Sequence, residues 1–246
     1  MDLRHATPPA RSTGACTETG LFDVFALLEQ RVPLQRRLLH AGDAPCRAGE
    51  PFSSLHLVHS GCFKVVNITA DGREQVVALQ FKGDWLGFDG IAAGRHACEA
   101  IAMDTSEVWS IRYDTLLQAG VDCPALLALL HGAMSQAITR DRESLLSLCT
   151  LPADARVAEF LRHWADSLGQ CGLRTDQITL RMTRAEIGSY LGMTLESVSR
   201  ALSRLAREGH IRFTERGRRH LHIASTEALA GFVQRLLEPR AAGVLL

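Results

Sequence analysis

The chain has 246 residues and a hydrophobic content of 46%, enough for two modest domains with cores of their own and too apolar for a disordered chain. No apolar run of about 18 residues could span a membrane, and the opening MDLRHATPPARSTG lacks the apolar centre of a signal peptide, so a cytoplasmic protein without membrane contact is expected. The net charge of zero conceals a division: residues 1–150 carry 13 basic and 17 acidic side chains, residues 151–246 carry 14 and 10, and every base in the second part is an arginine, whose planar fork of donors suits phosphates and guanine edges.

Residues 1–20, rich in Pro, Thr and Arg, are predicted to be a flexible N-terminus. Leu21 to Leu39 spaces apolar groups as a helix does, with Pro33 dividing it into at least two pieces. Residues 40–113 change character, with short apolar runs punctuated by Gly and Asp. SSLHLVHSGCFKVVNI reads as two strands joined at Ser60–Gly61, Asp71–Gly72 as a hairpin turn, and SEVWSI (Ser106 to Ile111) as a further strand. Closely spaced short strands predict a small sandwich or jelly roll within a domain over 21–120.

From Tyr113 the period becomes helical. A long helix is expected from Pro124, a first-turn proline, with apolar Leu126, Leu127, Leu130, Met134, Ile138, Leu145 and Leu148. Such a stripe over 121–150 needs a partner. A second copy of the helix is the economical one, giving a homodimer; packing on its own domain is the alternative. Ala153 to Leu168 is a second amphipathic helix, ended by Gly169 and Gly172, and QITLRM is a short strand. Both belong to a domain over 151–246.

Thr183 to Gly209 carries the chemistry. Thr183 with Glu186 three residues on forms a capping box, Gly192 makes a tight turn, and Thr194 caps a second helix whose Val198, Leu202 and Leu205 face inward. Two short helices so arranged form a helix-turn-helix. The exposed face of the second presents Glu196, Ser199 and Arg200 to base edges: arginine can donate twice to guanine, glutamate can accept from cytosine, and serine suits either kind of edge. Thr183, Arg184, Thr194, Arg204 and Arg207 are placed for the DNA backbone. HIRFTERGRRHLHI reads as a strand-turn-strand wing that adds Arg216 and Arg218.

These residues carry a resemblance. MTRAEIGSYLGMTLESVSRALSRLAREGHI, with SLHLVHSGCFKVV and DGREQVVALQFKGDWLGFDGI before it, is similar to the CRP/FNR family of bacterial transcription regulators, more to its FNR branch, from about Leu21 to Phe232. The resemblance implies an α+β fold: an N-terminal cyclic-nucleotide-binding-like β jelly roll, a long dimerisation helix and a C-terminal winged helix-turn-helix. It implies a sequence-specific regulator, as an activator, with Glu196, Ser199 and Arg200 reading TTGAT in a palindrome TTGAT–N4–ATCAA. Double-stranded DNA, a second copy of the chain and RNA polymerase are the implied partners, with surface loops near Asp71–Gly72 and Gly83–Asp84 as polymerase contacts.

The resemblance breaks where the signal is sensed. FNR-type members hold a 4Fe–4S cluster through three N-terminal cysteines and one in the barrel; here the N-terminus has only Cys16, and Trp109 stands at the barrel position. The seven cysteines, at 16, 46, 62, 98, 123, 149 and 171, include no C-x-x-C pair. Where CRP-type members grip a cyclic nucleotide with Gly-Glu and Arg-Ser, this chain has Gly87–Phe88 and His96–Ala97, with Arg95 beside them. No cofactor is therefore predicted. The standard cluster and cyclic AMP are disfavoured, and a non-standard cluster, a haem on His40, His56, His59 or His96, or a switch at Cys149 or Cys171 stays open. Gly87, Phe88, Arg95, His96 and Ala97 mark the candidate sensory pocket.

An enzyme is not expected, because no nucleophile elbow, P-loop or dinucleotide fingerprint is present, and the spacing of His56 and His59 sends their rings to opposite faces of a strand. The other class of reading is an interaction module whose arginine face meets acidic protein in place of DNA.

Overall fold

A computed structural model describes residues 18–69, 72–214 and 219–238. Helix α1 (Glu18–Arg31) is followed by strand β1 (Gln35–Leu39). The second half of the segment expected to be helical is thus a strand. Pro33 stops the helix, and residues 35–39 find backbone partners in antiparallel β7 (Ser106–Arg112), with Gln35 opposite Ser110 and Leu39 opposite Ser106. Tertiary pairing overrides a helical spacing that was too short to decide the matter.

Two small sheets form the N-terminal β-roll. In the first, the order is β1, β7, β2 (Ser54–Ser60) and β5 (Trp85–Leu86); in the second, β4 (Glu74–Gln80), β3 (Phe63–Ile68) and β6 (Glu99–Ala102). Gly61 turns β2 into β3 at φ +86°, and a Cβ there would lie 2.1 Å from Ser106 Oγ, so no larger residue fits. Val58, Phe63, Leu86, Ala100, Ala102 and Val108 fill the space between the sheets. Full burial of each large side chain stabilises by roughly 1.5–3 kcal/mol.

Short α2 (Gly90–Ala93) and α3 (Tyr113–Asp122) flank the roll, and α4 (Pro124–Thr150) leaves it with Pro124 in its first turn. The apolar stripe of α4 has a divided use. Leu126 and Leu130 are buried against Phe25 and Leu28 of α1 in the core of the roll, and Leu148 lies beside Gly192. Ile138, Leu145 and Leu146 stay 50%, 62% and 62% exposed. The own-domain packing weighed as an alternative therefore holds for the first turns of the helix.

The C-terminal part builds α5 (Ala153–Gln170), β8 (Gln177–Thr179), α6 (Arg184–Leu191), α7 (Leu195–Arg207), β9 (Ile211–Phe213), β10 (His220–Ile223) and α8 (Thr226–Leu237), with sheet order β8, β10, β9. Trp164, Leu161 and Phe160 of α5 pack with Ile187, Val198, Leu202 and Phe232. This core continues into the roll. Val66, Val76, Leu79 and Phe81 belong to the same cluster, and the Phe81 ring meets Trp164 edge-on at 5.5 Å. Among the described residues, no helix is long and apolar enough to cross a membrane.

Candidate nucleic-acid interface and sensory pocket

The start of α6 is built as the sequence predicts. Thr183 accepts from Glu186 N, and the Glu186 carboxylate accepts from Thr183 N at 2.7 Å, so each residue's side chain satisfies the other's otherwise unpaired amide. Gly192 ends the helix at φ +61°. Close behind, a Cβ on Gly188 would meet Met193 O at 2.5 Å, which lets the turn fold tightly onto the helix. Thr194 then caps α7 by accepting from Ser197 N.

Val198, Ala201, Leu202 and Leu205 bury one face of α7, so helical spacing turns Glu196, Ser199, Arg200 and Ser203 outward. Glu196 and Arg200 are exposed and Ser199 is half-buried. Arg200 donates a long hydrogen bond of 3.3 Å to Ser197 Oγ, and Glu196 makes no hydrogen bond or ion pair among the described residues. Asp154, Ser199, Arg200, Ser203, Arg204 and Arg207 are among the residues that line an open concavity of about 650 Å³. The three base-reading candidates are thus brought together on one free face.

The backbone-contact candidates divide. Thr183 and Thr194 are exposed caps, and Arg207 is exposed in the last turn of α7. Arg184 lies over the Phe213 ring at 5.7 Å. Arg204 is engaged inside the protein, with Asp154 at 2.6 Å and Glu208 at 2.8 Å, and its guanidinium lies over Phe232. Arg216 and Arg218 lie outside the described residues; the strands that flank them, β9 and β10, form the antiparallel pair expected of a wing. Ser203, which lines the concavity, and the exposed Arg212 of β9 were not singled out from the sequence. Ser203 could have been found by carrying the face of Glu196 and Ser199 one more turn.

The clamp that fixes this element to the roll was not singled out either. Lys64 of β3 pairs with Glu186, the capping-box carboxylate. Gln75 donates to Ser189 O, and Val76 N donates to Ser189 Oγ at 3.0 Å, so α6 covers the free edge of β4. Arg181 pairs with Asp104 at 2.5 Å and Arg140 with Asp84 at 2.5 Å. Asp84, proposed from the resemblance as part of a polymerase-contact loop, is turned inward and also accepts from Phe81 N.

In the sensory region, Gly87 adopts φ +97°, and a Cβ there would sit 3.2 Å from His96 Cε1. Phe88 stacks on Trp85 at 6.2 Å and packs into the core of the roll. Arg95 is exposed and donates to Gly49 O at 2.9 Å. His96 is buried, with its ring against Phe52. The amides of Ala97 and Cys98 both donate to Asp89 Oδ2, at 2.7 and 2.9 Å. In this arrangement the Phe88 side chain offers a ribose no polar atom, and a phosphate at residues 96–98 would meet a carboxylate already bonded to the amides of Ala97 and Cys98.

Trp109 is buried in an aromatic group: His59 stacks on it at 4.9 Å, Phe25 of α1 meets it edge-on at 5.0 Å, and Arg36 covers its ring at 5.0 Å. His56 faces the other way and bonds Ser110 at 2.8 Å, as the strand period requires. Burial, with Arg37 and His96 nearby, lowers the His56 pKa to about 4. Burial likewise pushes the Cys46 thiol up to about 12 and that of Cys62 to about 11. Among the described residues no group of three or more His, Cys, Asp or Glu could hold a metal.

Comparison with known proteins agrees with this geometry. The Crp-like helix-turn-helix domain family matches residues 155–232, and the cyclic nucleotide-binding domain family matches residues 36–121. Electron transport regulator A of Shewanella oneidensis is 35% identical over 185 residues, 75% of this chain and 72% of that protein. The fumarate and nitrate reduction regulatory protein of Salmonella typhimurium is 33% identical over 204 residues, 83% of this chain and 78% of that protein. The structure of FixK2 from Bradyrhizobium japonicum superposes with a TM-score of 0.72 at 25% identity, covering 81% of this chain and 97% of that one. A β-roll joined by a long helix to a winged helix-turn-helix defines a DNA-binding transcription regulator. The chain belongs to the CRP/FNR family.

Proposed function

We propose that this regulator binds as a homodimer to TTGAT–N4–ATCAA, acting in the cytoplasm as an activator that touches RNA polymerase, and that it does so without cyclic AMP or a standard 4Fe–4S cluster. The observation that carries the DNA reading is the outward face of α7, where Glu196, Ser199 and Arg200 share the N-terminal half of the helix opposite its buried stripe, Ser199 and Arg200 lining an open concavity. The homodimer is supported by Ile138, Leu145 and Leu146, which stay exposed along the far part of α4 once the roll has taken Leu126 and Leu130. A two-fold axis along that helix would set two recognition helices about one turn of DNA apart. The absence of a nucleotide or cluster requirement is supported by the Asp89 contacts and by Trp109 in its aromatic group.

Binding of protein prepared anaerobically to the palindromic duplex, with the absorption spectrum recorded before and after air, tests this. A colourless protein that prefers the palindrome over scrambled DNA equally in both conditions is expected. A coloured sample whose affinity changes in air would overturn the cofactor-free reading, and equal affinity for scrambled DNA would overturn the operator.

A further inference from the structure

The chain changes direction where α4 gives way to α5. Only Leu151 and Pro152 stand between the two helices, both extended, so their torsions set the angle at which the C-terminal part leaves α4. A helix end leaves carbonyls without amide partners, and a cation is favoured beside them. Arg156, in the first turn of α5, meets two such ends at once. Its Nε donates to Leu151 O, just past α4, at 2.9 Å, and its Nη1 donates to Leu191 O, the last residue of α6, at 3.1 Å. The junction is packed on its other sides. A Cβ on Gly192 would lie 3.8 Å from Leu148 Cδ2 and 3.9 Å from Arg156 Nη1, and Tyr190 sets its hydroxyl beside the Ser144 side chain of α4. Only Gly192, Met193 and Thr194 separate Leu191 from α7, so any turn of α6 is passed on to Glu196, Ser199 and Arg200.

We propose that Arg156 is a positioning residue that sets the spacing between half-sites: by joining the end of α4 to the end of α6 it fixes the angle between the dimer helix and the reading helix. This rests on the homodimer and palindrome proposed above. One more base pair in the spacer moves a half-site by about 3.4 Å and turns it by about 34–36°. Two firmly held reading helices cannot follow that change, and two loosely held ones can. A protein loosened at Arg156 keeps every side chain that meets a base edge and loses only their relative placement. Lysine would not replace it in full, because an ammonium is a point charge without the guanidinium fork that reaches both carbonyls.

Competition binding of the full chain to TTGAT and ATCAA half-sites separated by three, four or five base pairs tests this. Wild type should prefer four. Arg156→Ala should reduce that preference by roughly fivefold to tenfold, while its discrimination between the palindrome and a scrambled duplex drops only by what the lost spacing accounts for. Arg156→Lys should fall between the two, and it decides the matter alone if the alanine variant does not fold. Equal weakening on every duplex with the spacer preference intact would make Arg156 a merely structural residue and overturn the proposal. Full wild-type preference in Arg156→Lys would overturn the two-carbonyl bridge. If wild type showed no preference for the palindrome, the proposed operator would fail, and hydrogen exchange without DNA would test the bridge separately. Residues 147–151 and 188–193 should then exchange faster together in the variant, with 198–205 unchanged; acceleration in one segment alone, or in neither, would overturn it.

Discussion

Two polar regions of this molecule are finished in opposite ways. On α7, Glu196 makes no bond within the described protein and Arg200 only a long one of 3.3 Å, so their donors and acceptors face solvent. In the loop from Arg95 to Cys98, a side chain or amide of the chain itself meets almost every polar group: Arg95 meets Gly49 O, and the amides of Ala97 and Cys98 meet Asp89. Unsatisfied polar groups on a rigid element are what a reading surface needs, because their best partners arrive with the DNA. A pocket whose donors are already matched has little left to offer a ligand. The domain that the fold class would assign to sensing is the more closed of the two.

The sharpest way to break the contrast is Arg200→Ala. Because the side chain contributes little to the fold, the melting temperature should stay within a degree or so of wild type, while discrimination between the palindrome and a scrambled duplex falls by roughly 1–3 kcal/mol per half-site. Competition binding at fixed salt measures it. Retained selectivity would mean that α7 does not read bases in this register.

The closed region responds to acid instead. His56 sits inside the roll with its pKa lowered to about 4, first by burial and then by Arg37 and His96. The unfolded chain takes up that proton near pH 6.5, the folded one only near 4, so between those values protons favour the unfolded state. Stability contributed by neutral His56 is complete above pH 6.5 and is lost as pH falls toward 4, by roughly 3 kcal/mol. His163, whose pKa burial also lowers, adds in the same direction. Urea unfolding at several pH values should show a shallower acid slope in His56→Gln; parallel slopes would put His56 in contact with water.

Much of this architecture was legible because it rests on short-range chemistry. The capping box of Thr183 and Glu186, the turn at Gly192, the cap at Thr194 and the apolar spacing of Val198, Leu202 and Leu205 each need only their neighbours in sequence. The elements that escaped are those decided by distant partners. Residues 35–39 become a strand because β7 lies beside them, and β5 and β6 are too short for a periodic signal. Asp89 meets Ala97 and Cys98 across a turn, and Lys64 meets Glu186 from 122 positions away. The spacing of α4 could be seen, yet not that the roll would claim Leu126 and Leu130 and leave Ile138 and Leu145.

Arg204 and Arg207 give the finest test, since the same helix face carries one engaged and one open arginine. Arg204 is tied to Asp154 and Glu208, and those bonds raise its pKa. Arg207 is exposed in the same turn and lines the same concavity. A phosphate contact displaces counterions, so losing one reduces the steepness with which affinity falls as salt rises. Arg207→Ala should therefore lower that slope by about 1 per recognition helix, alike for palindromic and scrambled duplexes. Arg204→Ala should leave the slope unchanged and act through the fold, loosening the contact of α5 with α7 that Asp154 makes, seen as a lower melting temperature. If Arg204→Ala flattened the salt dependence as much as Arg207→Ala, the DNA would be drawing Arg204 away from its carboxylates. The division between engaged and open arginines would then belong to the free protein alone.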